Sequence, residues 1–202
     1  MSRYTGPRVK VMRALGVQLP GLSRKSVEKR PYPPGQHGHE RKKISEYALR
    51  LREKQKLRLN YGVSEGQLRR LMEEAMRRKA SPGATLVELL ERRLDNVVFR
   101  AGFARTIPAA RQLVCHGHVT VNGRRVDIPS FRVRRGDVVA LRESSRSLAS
   151  VQAALTSAGE LRPPWLEVEE AKGEARVAAL PEEGAAPFAI NTQLVVEYYA
   201  RA

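Results

Sequence analysis

Apolar residues in this chain repeat at two different periods, and the change of period marks where helices give way to strands. Leu68, Leu71, Met72, Ala75 and Met76 follow the spacing of a helix with one buried stripe. Ser64 and Gln67 stand at capping-box spacing ahead of them. Leu86, Leu89, Leu90, Leu94, Val97 and Val98 keep the helical period, and Thr85 with Glu88 repeats the capping spacing. This predicts one helix from Thr85 that stops at Gly102, with Arg92, Arg93, Asn96 and Arg100 off its buried stripe. A shorter helix is expected behind Thr106, with Pro108 in its first turn, Ala110, Leu113 and Val114 inward, and Gly117 at its end. The period then falls to two. Val119 and Val121, the pair Asn122-Gly123, and Val126 and Ile128 read as a hairpin with its valines and isoleucine on one face, because Asn and Gly tolerate positive φ. Phe131–Val133 and Val138–Leu141 are expected as a further strand pair around Gly136-Asp137.

Flanking segments complete the architecture. Ser45 to Asn60 predicts a helix stopped at Gly62, with a weak apolar stripe of Ala48, Leu51 and Leu59. Arg50, Arg52, Lys54, Lys56 and Arg58 recur at every second position, so they fan around it. Arg146 to Ser157 predicts a helix with Leu148, Val151 and Leu155 inward. Trp165–Val168 and Arg176–Leu180 predict two strands, turned at Lys172-Gly173, that extend the hairpin's sheet with Trp165 in the core. From Asn191, propensity favours a strand, whereas a cap at Asn191 and the position in the chain favour a helix; a helix returning to the first domain is expected. The fold class is α+β. A helical domain (45–90 plus 186–202) holds an inserted domain (91–185) with a mostly antiparallel sheet. A basic extended N-terminal arm (1–44) precedes both. Val9 to Leu15 is expected as a short helix; the prolines and glycines of the rest leave little apolar surface to bury, so the arm is expected to gain order on binding nucleic acid.

Charge narrows the function. The chain's 202 residues carry 37 Lys and Arg against 21 Asp and Glu, for a net charge of +16. The excess is uneven: residues 1–44 hold 11 basic and 2 acidic residues, whereas 143–202 hold 5 and 9. Such a balance points to a polyanionic partner and says nothing of fold. Aromatic residues make up 5% of the chain, so base stacking is not the main device. One cysteine, Cys115, excludes an internal disulfide and fits a reducing compartment. No apolar run approaches the roughly 20 residues that span a membrane, and the first residues show no apolar signal core, so neither membrane nor export is expected.

Candidate phosphate-binding residues emerge from this charge distribution. In the arm they are Arg3, Arg8, Lys10, Arg13, Lys29 and Arg30, with Arg24, Lys25, Arg41, Lys42 and Lys43 beside them. Arg69 and Arg70 lie on the polar side of the helix after Ser64. Arg105, Arg111 and Gln112 can face outward, and guanidinium groups on rigid backbone suit bidentate contact with phosphate. For any single arginine an ordinary solvated face is the better reading; for the set, RNA is. Asp95 and Asp127, among arginines, are best explained by ion pairing. No phosphate-cradling loop of the GxxxxGK[ST] type and no Ser, His and Asp set in motif context is present, so an enzyme is disfavoured. His37, His39, Cys115, His116 and His118 are too scattered and too poor in thiols for a zinc site.

Four stretches, RLDNVVFRAGF, ARQLVCHGHVTVNGRRVDIPSFRVRRGD, RPYPPGQHG and LREKQKLRLNYG, resemble the S-four family of bacterial small-subunit ribosomal proteins, nearly end to end. The resemblance implies that the inserted domain contains an S-four-type RNA-binding module. It places Arg93, Asn96, Arg100, Arg105, Arg111, Gln112, His116, His118, Asn122 and Arg124 in the module's RNA-facing pattern, and the RNA-binding set also takes in Thr106 and Arg125. It matches Tyr32, Pro34, Gly35, Gln36 and His37 to the arm motif, and Lys54, Lys56 and Arg58 to the basic helix. Many members hold zinc with four cysteines in the first forty residues. This chain has none there, so it resembles the zinc-free form and no cofactor is expected. The implied partners are the 5′ domain of small-subunit rRNA, ribosomal protein S-five, and mRNA near the channel by which it enters the subunit. The implied role is structural: early binding that nucleates assembly of the subunit body, and a contribution to translational accuracy. The expected place is the cytoplasmic ribosome, ahead of a plastid one. An RNA-modifying enzyme carrying the module needs a catalytic domain larger than the residues after 142 can supply. A free-standing RNA-binding factor usually lacks the arm and the basic helix.

Overall fold

The computed structural model describes residues 4–40, 43–156, 162–182 and 184–200. Two compact units divide the chain: residues 1–86 with 186–202, and residues 87–185.

The first unit is helical. It holds α1 (Arg8–Leu15), α2 (Glu46–Asn60), α3 (Glu65–Arg77), the start of α4 (Pro82–Glu91) and, at the far end of the chain, α9 (Thr192–Ala200). Ser45 caps α2 by accepting from Ala48 N, and Ser64 with Gln67 forms the full capping box of α3. Leu68, Leu71, Met72 and Ala75 are buried as their spacing predicts, but Met76 is 41% exposed and does not fill the core. Asn191 Oδ1 accepts from Leu194 N, so the cap wins over strand propensity and α9 is a helix that packs on α2.

The short helix read over Val9–Leu15 is α1, but residues 8–27 correct the expectation of little apolar burial around it. Met12, Leu19 and Leu22 are buried with Leu59 of α2, and Val9, Leu15, Val27 and Phe188 pack around them. Composition averages hide such a stripe because its partners lie far away in sequence. Gly16 ends α1 in the left-handed region (φ 67), and Gly21 N donates to Asn60 Oδ1 at 2.9 Å. These two glycines read as punctuation of a loose arm, but they are the turns of a packed one.

The second unit, after the rest of α4, contains α5 (Leu94–Arg100), α6 (Ile107–Cys115), β1 (Val119–Val121), β2 (Arg124–Arg125), β3 (Val138–Leu141), α7 (Glu143–Arg146), α8 (Ala149–Leu155), β4 (Leu166–Glu169) and β5 (Glu174–Val177). Its antiparallel sheet has the order β2-β1-β3-β5-β4. The hairpin turns at Asn122 (φ 50) and Gly123 (φ 77), as expected. β4 and β5 extend the sheet, and Trp165 is buried.

Four expectations fail here. The helix read from Thr85 to Gly102 begins at Pro82 instead, with Thr85 buried inside it, and breaks at Arg93, whose ψ of 138° is extended. The break is made by the segment 129–133: Leu94 N donates to Phe131 O, Asp95 N to Pro129 O, and Val133 N to Arg92 O. That segment therefore pairs with Arg93 and not with β3, which lies between β1 and β5. Ile128 is 56% exposed and leaves the apolar face of Val119 and Val121. The helix expected over 146–157 is two short ones; Val151 is buried, Leu148 and Leu155 are half-buried, and Ser157 lies outside the described residues.

Candidate nucleic-acid interface

In the first forty residues, exposed and committed cations separate cleanly. Arg8 and Lys10 are exposed on α1, and Lys29, Arg30 and Gln36 are exposed beyond it; His37 is exposed too, but its Nδ1 contacts Glu40 Oε1 at 2.5 Å. Arg3, with Arg41 and Lys42, lies outside the described residues. Arg13 turns inward. Its Nε donates to Arg30 O at 2.9 Å and to Tyr32 O at 3.0 Å, and its guanidinium carbon sits 4.9 Å from the Tyr32 ring centroid. The imidazole of His39 lies 3.8 Å from the same ring. Arg13 thus clamps the segment that presents Lys29, Arg30 and Gln36. Lysine keeps the charge but lacks the planar fork. Arg13→Lys is therefore expected to raise amide hydrogen exchange and protease cleavage across residues 29–39, with the core helices α2 and α3 unchanged; unchanged protection across 29–39 would contradict the clamp.

The basic helix α2 is less available than its composition suggests. Lys54 is buried, donates to Glu65 Oε2 at 2.9 Å and lies 4.6 Å from the Tyr198 ring. Burial works against ionisation of Glu65, but hydrogen bonds from Lys54 and Tyr199 outweigh it and hold the carboxyl below its ordinary range. Burial, and then Glu65 itself, push the Tyr199 phenol well above its ordinary value. Arg50 bonds Glu46 and Glu197, and Lys56 bonds Glu53. Arg58 is half-buried. The helix therefore spends much of its charge on its own unit. Arg69 and Arg70 on α3 are exposed.

In the second unit, two fully buried carboxylates account for residues read as outward-facing. Asp95 accepts from Arg93 Nε (3.1 Å) and Nη2 (2.8 Å), and Arg111 Nη2 lies 3.6 Å away. Glu91 accepts from Asn96 Nδ2 at 2.9 Å, and Arg100 Nε lies 3.4 Å from its Oε2. Arg93, Asn96 and Arg100 are buried, so they sit inside the module and not on its face. Asn122 is locked as well: its Nδ2 donates to Asp137 Oδ1 and its Oδ1 accepts from Val138 N, both at 2.9 Å. Thr106 accepts from Ala109 N as the cap of α6. His118 Nδ1 contacts Ser145 Oγ at 2.9 Å.

What remains outside is a short basic face. Arg105 is exposed just ahead of α6, Gln112 on it and His116 at its C-terminal cap, and Arg124 and Arg125 are exposed on β2. The guanidinium of Arg125 lies against Gly117, where a Cβ would fall 2.3 Å from its Nε; the φ of +72° also demands glycine. This packing sets Arg125 beside the C-terminal end of α6, whose partial negative charge favours a cation. The rings of His116 and His118 stand 6.1 Å apart at the same end. Arg134, Arg135 and Arg142 are exposed too, and the candidate set omitted them although RVRRGD advertises the first two. Among the described residues, no three His, Cys, Asp or Glu side chains are grouped as metal ligands, and no helix is long and apolar enough to cross a membrane.

Comparison with known proteins gives these surfaces a context. Residues 3–91 match the family described as Ribosomal protein S4/S9 N-terminal domain, and residues 92–139 match the S4 domain. The chain is similar to small ribosomal subunit protein uS4 of Methylobacillus flagellatus, at 58% identity over 202 residues, covering 99% of this chain and 98% of the relative. It is 56% identical to uS4 of Rippkaea orientalis, covering 100% of this chain and 99% of the relative. It is 54% identical to uS4B of Nitrosomonas europaea, covering 99% and 98%. The chain belongs to the uS4 family of small ribosomal subunit proteins.

Proposed function

We propose that this chain is a structural constituent of the small ribosomal subunit that binds small-subunit rRNA directly, as a primary binder of its 5′ domain, and nucleates assembly of the subunit body. It acts in the cytoplasmic ribosome, without a cofactor. One observation carries the reading. In the second unit the buried carboxylates Asp95 and Glu91 hold the inner arginines, and a separate set stays exposed, Arg124 and Arg125 on β2 and Arg105 just ahead of α6. Double-helical RNA hides its base edges, so a protein reads its backbone geometry and 2′-hydroxyls, and fixed guanidinium groups suit that task. The exposed cations of the first unit, Arg8, Lys10, Lys29, Arg30, Arg69 and Arg70, supply a second footprint. Family resemblance further supports a joint role with ribosomal protein S5 in translational accuracy, and contact with mRNA near where it enters the subunit.

The test is a comparison of two RNAs. At physiological salt the chain is expected to prefer the rRNA 5′ domain over an unrelated structured RNA of equal length by roughly a hundredfold, about 2.7 kcal/mol of discrimination. Equal affinities would overturn the reading and favour a general RNA-binding factor.

A further inference from the structure

Asp95 is fully buried in the first turn of α5, where two donors and a further cation converge on it. Arg93 grips both carboxylate oxygens, Asn96 N donates to Oδ1 at 3.0 Å, and Arg111 Nη2 of α6 lies 3.6 Å from Oδ2. Arg111 is itself only 15% exposed. Next to it in sequence, Gln112 lies on the exposed side of α6, with His116 one turn further on. We propose that Asp95 is a positioning residue for RNA recognition: through Arg111 it fixes the rotation of α6, and so the place at which Gln112 and His116 meet ribose and phosphate. This rests on the RNA-binding reading above and deepens it.

The sign of one substitution separates this from a simple charge effect. Asp95→Asn raises the net charge of the chain from +16 by one unit. If charge alone governs affinity, RNA binding stays the same or tightens. If Asp95 positions α6, the more positive protein binds its own RNA more weakly, because a recognition surface must be held in place by residues behind it.

The experiment uses the full chain, wild type and Asp95→Asn, with Arg111→Lys as a second variant that keeps the charge but loses the planar fork. Affinities for the rRNA 5′ domain and for an unrelated structured RNA of equal length are measured at one salt concentration, below the melting temperature of each variant. Both variants are expected to lose roughly tenfold on the 5′ domain and little on the unrelated RNA. Unchanged or tighter binding to the 5′ domain would overturn the proposal. An equal loss on both RNAs would overturn it too, because mere damage to the fold does not select between them. If Asp95→Asn fails to fold, Arg111→Lys decides alone by the same two outcomes. A wild type with no preference for the 5′ domain defeats the RNA reading itself, a result distinct from any behaviour of the variants.

Discussion

Raising the salt from about 50 to 200 mM is expected to weaken binding to small-subunit rRNA by about three to five decades, provided roughly eight phosphates are neutralised. Each phosphate contact releases condensed counterions, and added salt opposes that release. Exposed cations are numerous enough for such a footprint once the internally paired ones are set aside. Arg8, Lys10, Lys29, Arg30, Arg69 and Arg70 serve in the first unit, and Arg105, Arg124 and Arg125 in the second. The structure also says which substitutions change the slope. Arg124→Gln removes an exposed guanidinium and is expected to reduce the slope of log affinity against log salt by about one. Arg93→Gln removes a charge that already belongs to Asp95, 2.8 Å away, and is expected to leave the slope alone. Filter-binding or fluorescence titrations across a salt series decide both. A flat salt response would contradict phosphate recognition, and equal slope changes for the two variants would contradict the division into outer and inner arginines.

That division is where reading the sequence runs out. Caps and turns are local chemistry, so Ser45, Ser64 with Gln67, Thr106 and the Asn122-Gly123 turn were legible from neighbours a few residues apart. The Arg93 break was not, because the apolar period runs through it unbroken. Its cause is a backbone pairing with residues 129–133, which no local pattern announces. The arginines failed for a related reason. Their type says outward, and the spacing of Arg93 and Arg100 off the apolar stripe agreed. Yet a helix only seven residues long, packed on several sides, has no solvent face to give them. The clue was Glu91 and Asp95, two acids in a stretch otherwise crowded with arginine. The resemblance placed Arg93, Asn96 and Arg100 in an RNA-facing pattern, whereas side-chain geometry places them behind it. The packing of segment 8–27 was missed by averaging: its apolar residues are few, but they share one cluster with Leu59 of α2 and Phe188, far away in sequence.

Glu91→Ala is expected to destabilise the second unit by about 3–5 kcal/mol, the range seen when one member of a buried ion pair is removed. The carboxylate is completely buried at the end of α4. It accepts from Asn96 Nδ2, an amide that also bonds the Glu91 carbonyl at 2.9 Å. Arg100 Nε lies 3.4 Å from it, and Arg100 Nη2 donates to Ala185 O at 3.0 Å. Alanine removes the acceptor and leaves a guanidinium and an amide in a site that water does not reach. Domains are typically stable by only about 5–15 kcal/mol, so this single change takes a large share of the total. The expected signature is a fall in the denaturant midpoint of the unit containing 87–185. Replacing both partners, Glu91→Leu with Arg100→Met, is expected to recover much of the loss, since two apolar groups leave no charge unpaired. The double variant also bears on function. Because Arg100 sits behind the basic face, the refolded double variant should keep the salt slope of the wild type. A reduced slope would return Arg100 to the RNA contacts, and an undiminished midpoint in Glu91→Ala would mean that the buried pair contributes nothing to the fold.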